Sequence, residues 1–127
     1  MFVFVSSPYG AKTKHERSLN ARVAVRMCKW ITDNRPGEIP IAPHVICSQW
    51  WNDEYDRDKA IAWCRSILPR CGKLYQLNVP LTTGMKAEDI QARDLDVEIE
   101  IFDLENLPYL DSDLILVPFE IQKATAF

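Results

Sequence analysis

The apolar residues of this chain switch repeatedly between short continuous runs and helical spacing, and that alternation is what most limits its fold. Phe2 to Ser6 is an unbroken apolar run, which suits a central strand buried on both faces of a parallel sheet. From Lys14 to Thr32, residues Leu19, Val23, Met27, Trp30 and Ile31 recur three and four apart, marking one face of a long helix with Thr13 as its N-cap. The stretch DNRPGE ends that helix, IPIAPH follows as a short strand with prolines near its ends, and ICSQWWNDEYD reads as loop. A second helix starts near Asp56 and carries Ile61, Trp63, Ile67 and Leu68 toward PRCG. Leu74 to Val79 is a third strand, Gly84 to about Leu95 a third helix, and Val97 to Phe102 a fourth strand. Each parallel return needs a crossover, so the order β-α-β-α-β-α-β predicts an open α/β fold: a parallel sheet with helices on both faces. The tail beyond Asp103 changes character, with LENLPYLDSD as loop and LILVPF as a fifth, edge-type strand that covers an edge or meets a second subunit.

Length and charge narrow the partners. With 127 residues, 47% of them hydrophobic, the chain supports one domain around one core. Its net charge of -3 offers no general attraction to polyanions, so small molecules or proteins are the expected partners, with neither nucleic acid nor membrane. The opening MFVFVSSPYG lacks the basic flank and length of a signal or membrane segment, which predicts a cytoplasmic protein. Cys28, Cys47, Cys64 and Cys71 form no Cys-x-x-Cys pair and read as reduced structural cysteines. No metal site and no cofactor is expected.

In open α/β sheets, ligands bind at the carboxyl ends of the strands, where strand order reverses. Three loops occupy such ends: SSPYG, APHVICSQWW and VPLTTGMKAE. Thr82, Thr83 and Gly84, followed by Met85, put hydroxyls and backbone N–H groups at a helix start, which serves equally as an anion cradle or as an ordinary cap. Glu88 lies four residues after Gly84, where its carboxylate leans back toward that cradle. On spacing alone it is either a nucleophile for a sugar's anomeric carbon or an acid set on the helix dipole. Ser6, Ser7, Pro8, Tyr9 and Gly10 form a small-residue loop with one phenol, either a ligand approach or a simple turn. His44 is a candidate for proton transfer or for a structural role, and Trp50 and Trp51 for base stacking or edge packing. The basic run Lys12 to Arg17 reads as a solvated helix start.

Together FVSSPYG, IPIAPH and TTGMKAE after CGKLYQL resemble the nucleoside 2-deoxyribosyltransferase superfamily, especially its small phage and bacterial branch. The resemblance covers about residues 1–103 and leaves 104–127 as a C-terminal extension. It implies a flavodoxin-like fold, a homodimer or larger assembly in which a neighbouring chain completes the site, and a location in the cytoplasm, that of the host if the chain is phage-encoded. It also implies that Glu88 is the nucleophile, with His44 or Tyr9 aiding the leaving base. Thr82 and Gly84 would hold a sugar phosphate, and Ser6 to Gly10 would line the same pocket. Two departures stand out: Val3 and Cys64 occupy the places of an assisting tyrosine and aspartate, and neither can do that job. Gly72 also stands where an acid is usual, and Tyr9, Asp53 and Asp56 are the loop residues available as substitutes. The expected function is an N-glycosidase or deoxyribosyltransferase acting on a nucleoside or its 5′-monophosphate. The alternative is a non-catalytic protein that binds a nucleotide or sequesters a nucleotide signal.

Overall fold

The computed structural model describes residues 1–52 and 55–109. Four strands, β1 (Phe2–Ser6), β2 (Ile39–Ile41), β3 (Lys73–Leu77) and β4 (Glu98–Phe102), form one all-parallel sheet in the order β2-β1-β3-β4. This is the order of the first four strands of a flavodoxin-like sheet, and it reverses between β1 and β3. As the unbroken apolar run requires, β1 is internal, with Phe4 paired to Ile41 on one side and to Leu74 on the other.

The side-chain period of two divides the strands between two cores. Val3, Val5, Tyr75 and Leu77 face α1 (Lys14–Asn34), meeting Leu19, Val23, Met27 and Ile31. Phe4 and Leu74 face the other way, onto Leu68, Cys71 and Ala92, the last from α4 (Thr83–Asp94). Helices therefore cover both faces. Thr13 caps α1 as expected, its hydroxyl accepting from the Glu16 N–H at 3.1 Å.

The segment after β2 differs from its sequence reading. The strand ends at Ile41, and Pro43–Cys47 is a short helix, α2, so IPIAPH is not a strand to its end and Ile46 and Cys47 are not loop. Pro43 stands at the first helical position, where its fixed φ fits and its missing N–H is not needed, while Ala42 O accepts from the Val45 and Ile46 N–H groups. The next helix, α3 (Arg57–Ile67), runs into a 3-10 turn at Leu68–Arg70.

After β4, Leu104–Asn106 is a 3-10 turn within the stretch read as loop. Arg26 of α1 is buried and donates Nε to Pro108 O at 2.5 Å and Nη2 to Leu107 O at 3.5 Å, fastening this segment over the α1 face. The fifth strand read at LILVPF lies outside the described residues. No helix among the described residues is long and apolar enough to cross a membrane.

Candidate functional site at the switch point

The reversal between β1 and β3 opens a crevice at the carboxyl ends of the strands, and four segments converge on it. β1 delivers Ser6 and the loop from Ser7 to Lys12, α2 delivers His44, and the amino ends of α3 and α4 deliver Arg57 and the Thr82–Met85 turn. A cavity of about 410 Å³ lies between them, lined among others by Ser7, Tyr9, Gly10, His44, Trp51 and Gly84.

Glu88 is buried beside this cavity, only 7% exposed, one turn after Gly84. Ser6 points to the α4 side of the sheet because it shares the parity of Phe4, and its Oγ donates to Glu88 Oε1 at 2.7 Å. His44 Nε2 lies 3.0 Å from Glu88 Oε2. Both carboxylate oxygens thus have a neighbour that can donate a hydrogen bond. An ionised carboxylate offers about four lone-pair sites, so acceptor capacity remains for a ligand.

His44 has neighbours on its ring face and at both ring nitrogens. The Tyr9 ring stacks on it with centroids 5.5 Å apart and planes 11° from parallel. Its Nδ1 lies 3.7 Å from Cys64 Sγ, and Cys64 Sγ lies 4.0 Å from Cys47 Sγ. Burial first, then the neighbouring Cys47 and Glu88, pushes the Cys64 thiol far above the usual range, so it stays protonated. The loop that carries Tyr9 is pinned to α1: Asn20 Nδ2 donates to Tyr9 O at 3.1 Å, and Arg17 Nη1 to Ala11 O at 2.9 Å.

At the amino end of α4, the Thr82 hydroxyl accepts from the Met85 N–H at 3.2 Å and so is occupied as a cap. The N–H groups of Thr83 and Gly84 belong to the first turn, which has no helical acceptor, and both residues line the cavity. An added Cβ at Gly84 would meet nothing within 4 Å.

Of the residues singled out in the sequence, Ser7, Tyr9, Gly10, His44, Thr82, Thr83, Gly84 and Met85 line the cavity, while Ser6 and Glu88 stand directly behind His44. Pro8 and Trp50 do not line it. Trp50 is 53% exposed and packs edge-on against Trp63, and the aromatic residue on the cavity is Trp51. Asp56 receives the Asn52 N–H at 3.0 Å instead of lining the cavity, and Asp53 lies outside the described residues. Val3 is fully buried against α1 on the opposite face of the sheet from Ser6 and Glu88. Lys12 and Arg57 line the cavity without a salt bridge among the described residues, although Lys12 reads as a solvated helix start and Arg57 carries no motif. Arg57 opens α3, and that helix start is the signal that puts it on the ligand edge. Among the described residues, no three His, Cys, Asp or Glu side chains are arranged to hold a metal ion.

Fold and crevice define a parallel α/β domain with a buried acid at its topological switch point. Residues 1–102 match the model of a family described as a domain of unknown function (DUF7768), and the chain belongs to that family. No curated protein and no solved structure matches it.

Proposed function

We propose that this protein is an N-glycosidase or deoxyribosyltransferase acting on nucleosides or nucleoside 5′-monophosphates. The observation that carries the proposal is the buried Glu88 carboxylate, held by Ser6 and His44 beside a nucleotide-sized crevice. A Glu88 oxygen attacks the anomeric carbon as the C–N bond to the base breaks, and the bonding pair leaves with the base. The Tyr9 phenol supplies the proton that the departing base needs, while His44, stacked on that phenol, orients the Glu88 carboxylate. Water then attacks the same carbon and passes its proton back to the phenolate, or a second base attacks through a ring nitrogen, and the bonding pair returns to Glu88 as its free carboxylate. Lys12, Arg57 and the first turn of α4 surround the crevice with positive potential, which favours a phosphate on the sugar. The resemblance to the nucleoside 2-deoxyribosyltransferases supports this assignment residue by residue at Glu88, Thr82 and Gly84. It also carries the proposal that a second copy of the chain completes the crevice.

A second reading is a non-catalytic protein that captures a nucleotide, phage-borne as the resemblance implies, and Val3 favours it. The position that supplies a phenol in the hydrolases is here an aliphatic side chain sealed in the α1 core. Proton NMR of the protein with a panel of nucleosides and 5′-monophosphates separates the two. Free base released by the native chain and not by Glu88→Ala supports the glycosidase, whereas ligand line broadening with no base release supports the binder.

A further inference from the structure

Cys64 occupies the place where the resemblance leads one to expect an aspartate, yet its thiol is not idle in the core: it meets the far nitrogen of the same imidazole that touches Glu88. We infer that Cys64 is a positioning residue, donating its S–H to Nδ1 of His44 and, together with Glu88 at Nε2, holding the ring as the neutral tautomer whose Nε2–H points at Glu88. The inference deepens the proposed site and rests on that reading for its consequence in catalysis, but the tautomer belongs to the free protein.

The donor assignment follows from the neighbours. Nδ1 and Nε2 of a neutral imidazole are one acceptor and one donor, and the hydrogen bond at one nitrogen decides the role of the other. Glu88 Oε2 can only accept while ionised, so Nε2 carries the hydrogen and Nδ1 is left as the acceptor. Cys47 Sγ is engaged with His44 O at 3.7 Å, within α2 itself. The Cys64 S–H is thereby available to Nδ1 at 3.7 Å, a normal separation for a sulfur donor. An aspartate there would act in the opposite sense, accepting from Nδ1–H and favouring the doubly protonated imidazolium.

The titratable groups facing the ring are Glu88 from α4, Cys64 from α3, Cys47 from α2 and Tyr9 from the loop after β1, with Lys12 and Arg57 across the cavity. The chain has two histidines, so His15→Gln leaves His44 as the single imidazole in a nitrogen-15 spectrum. In that background the expected result above the titration range is a protonated Nε2 and an unprotonated Nδ1. Cys64→Ser keeps this pattern, since a hydroxyl also donates. Cys64→Ala brings the two nitrogen shifts toward each other as the second tautomer becomes populated. Cys64→Asp raises the proton affinity of His44 by roughly tenfold or more. Should Cys64→Ala fail to fold, the serine and aspartate variants still decide. A native Nδ1–H tautomer, an alanine variant with native shifts, or an aspartate variant with an unmoved titration midpoint each overturns the inference. Absence of base release by the native protein counts against the glycosidase proposal and leaves the tautomer result standing.

Discussion

Ser6 Oγ donates to Glu88 Oε1 at 2.7 Å, joining the end of β1 to the second turn of α4 across 82 positions of sequence. The bond exists because β1 and β3 are neighbours and α4 follows β3, so it is a product of topology and not of any local motif. Ser6 is fully buried, and Ser6→Ala leaves a buried carboxylate one donor short. The expected loss is about 1–3 kcal/mol in denaturant unfolding, with the slope unchanged. A loss within experimental error would mean that the carboxylate is solvated by another route.

Glu88→Gln keeps the shape and the bond from His44, with the Ser6 bond reversed so that the amide donates to the hydroxyl, while removing the charge that attacks the sugar. Under the glycosidase proposal, turnover of the best 5′-monophosphate falls by roughly 10³-fold or more, and the unfolding midpoint moves little. Single-turnover base release in a panel of monophosphates is the check. Retained turnover would transfer the nucleophile's role to another residue and sink the assignment of Glu88.

The two roles open at the TTG turn come apart at Gly84. Space for a Cβ is open there, and alanine is the better helix former, so Gly84→Ala should keep or raise stability by up to ~1 kcal/mol. A ligand whose phosphate approaches the backbone loses its place to the new methyl group. Weaker nucleotide binding in calorimetry with an unchanged melting temperature marks a cradle, whereas unchanged binding marks a helix cap only.

How much of this could be read from the sequence depends on whether a feature is periodic or spatial. β1, α1, β3, α4 and β4 each rest on a hydrophobic period over many residues, and their observed limits lie within about two residues of the reading. α2 was hidden because five residues carry too little period, and its one signal, Pro43 as a helix starter, also suits a strand end. Glu88, His44 and Tyr9 could be picked out by residue type and loop position, and the fold brings all three together. The contact of Cys64 with His44 could not be, since it depends on how α3 turns against α2. Trp50 and Trp51 are adjacent in sequence, and the rotation of the chain after α2 turns Trp51, not Trp50, to the cavity.

Lys12 and Arg57 supply the cavity's positive charge from two different elements. Replacing both by alanine should weaken 5′-monophosphate binding by about 10- to 100-fold, the range for hydrogen bonds to a charged group, and leave nucleoside binding nearly untouched. The ratio of the two dissociation constants is the measurement. An equal loss for nucleoside and monophosphate would show that these side chains shape the pocket and do not read the phosphate.

The amino end of the sheet contributes stability that is lost in acid, through charges remote from the crevice. Glu38 accepts from Tyr75 Oη and from Lys73 Nζ at 3.0 Å, and Lys73 also reaches Glu100 at 3.2 Å. Burial pushes the Glu38 carboxyl upward, but the bonds from Tyr75 and Lys73 outweigh it, and the net position is below the ordinary 4.5. Lys73 moves the other way: burial pulls it down, and the bonds to Glu38 and Glu100 more than reverse this. A carboxyl that ionises more readily when folded stabilises the protein fully above its unfolded pKa, and that contribution is lost as the pH falls through the folded value. A lysine held above its ordinary value loses its contribution only in alkali, so it does not blur the acid window. Glu38→Gln should therefore unfold more easily than the native chain above about pH 4.5, with the gap closing as the pH falls below it. A gap that stays constant down to about pH 3 would mean that Glu38 gains nothing from its ionised form in the fold.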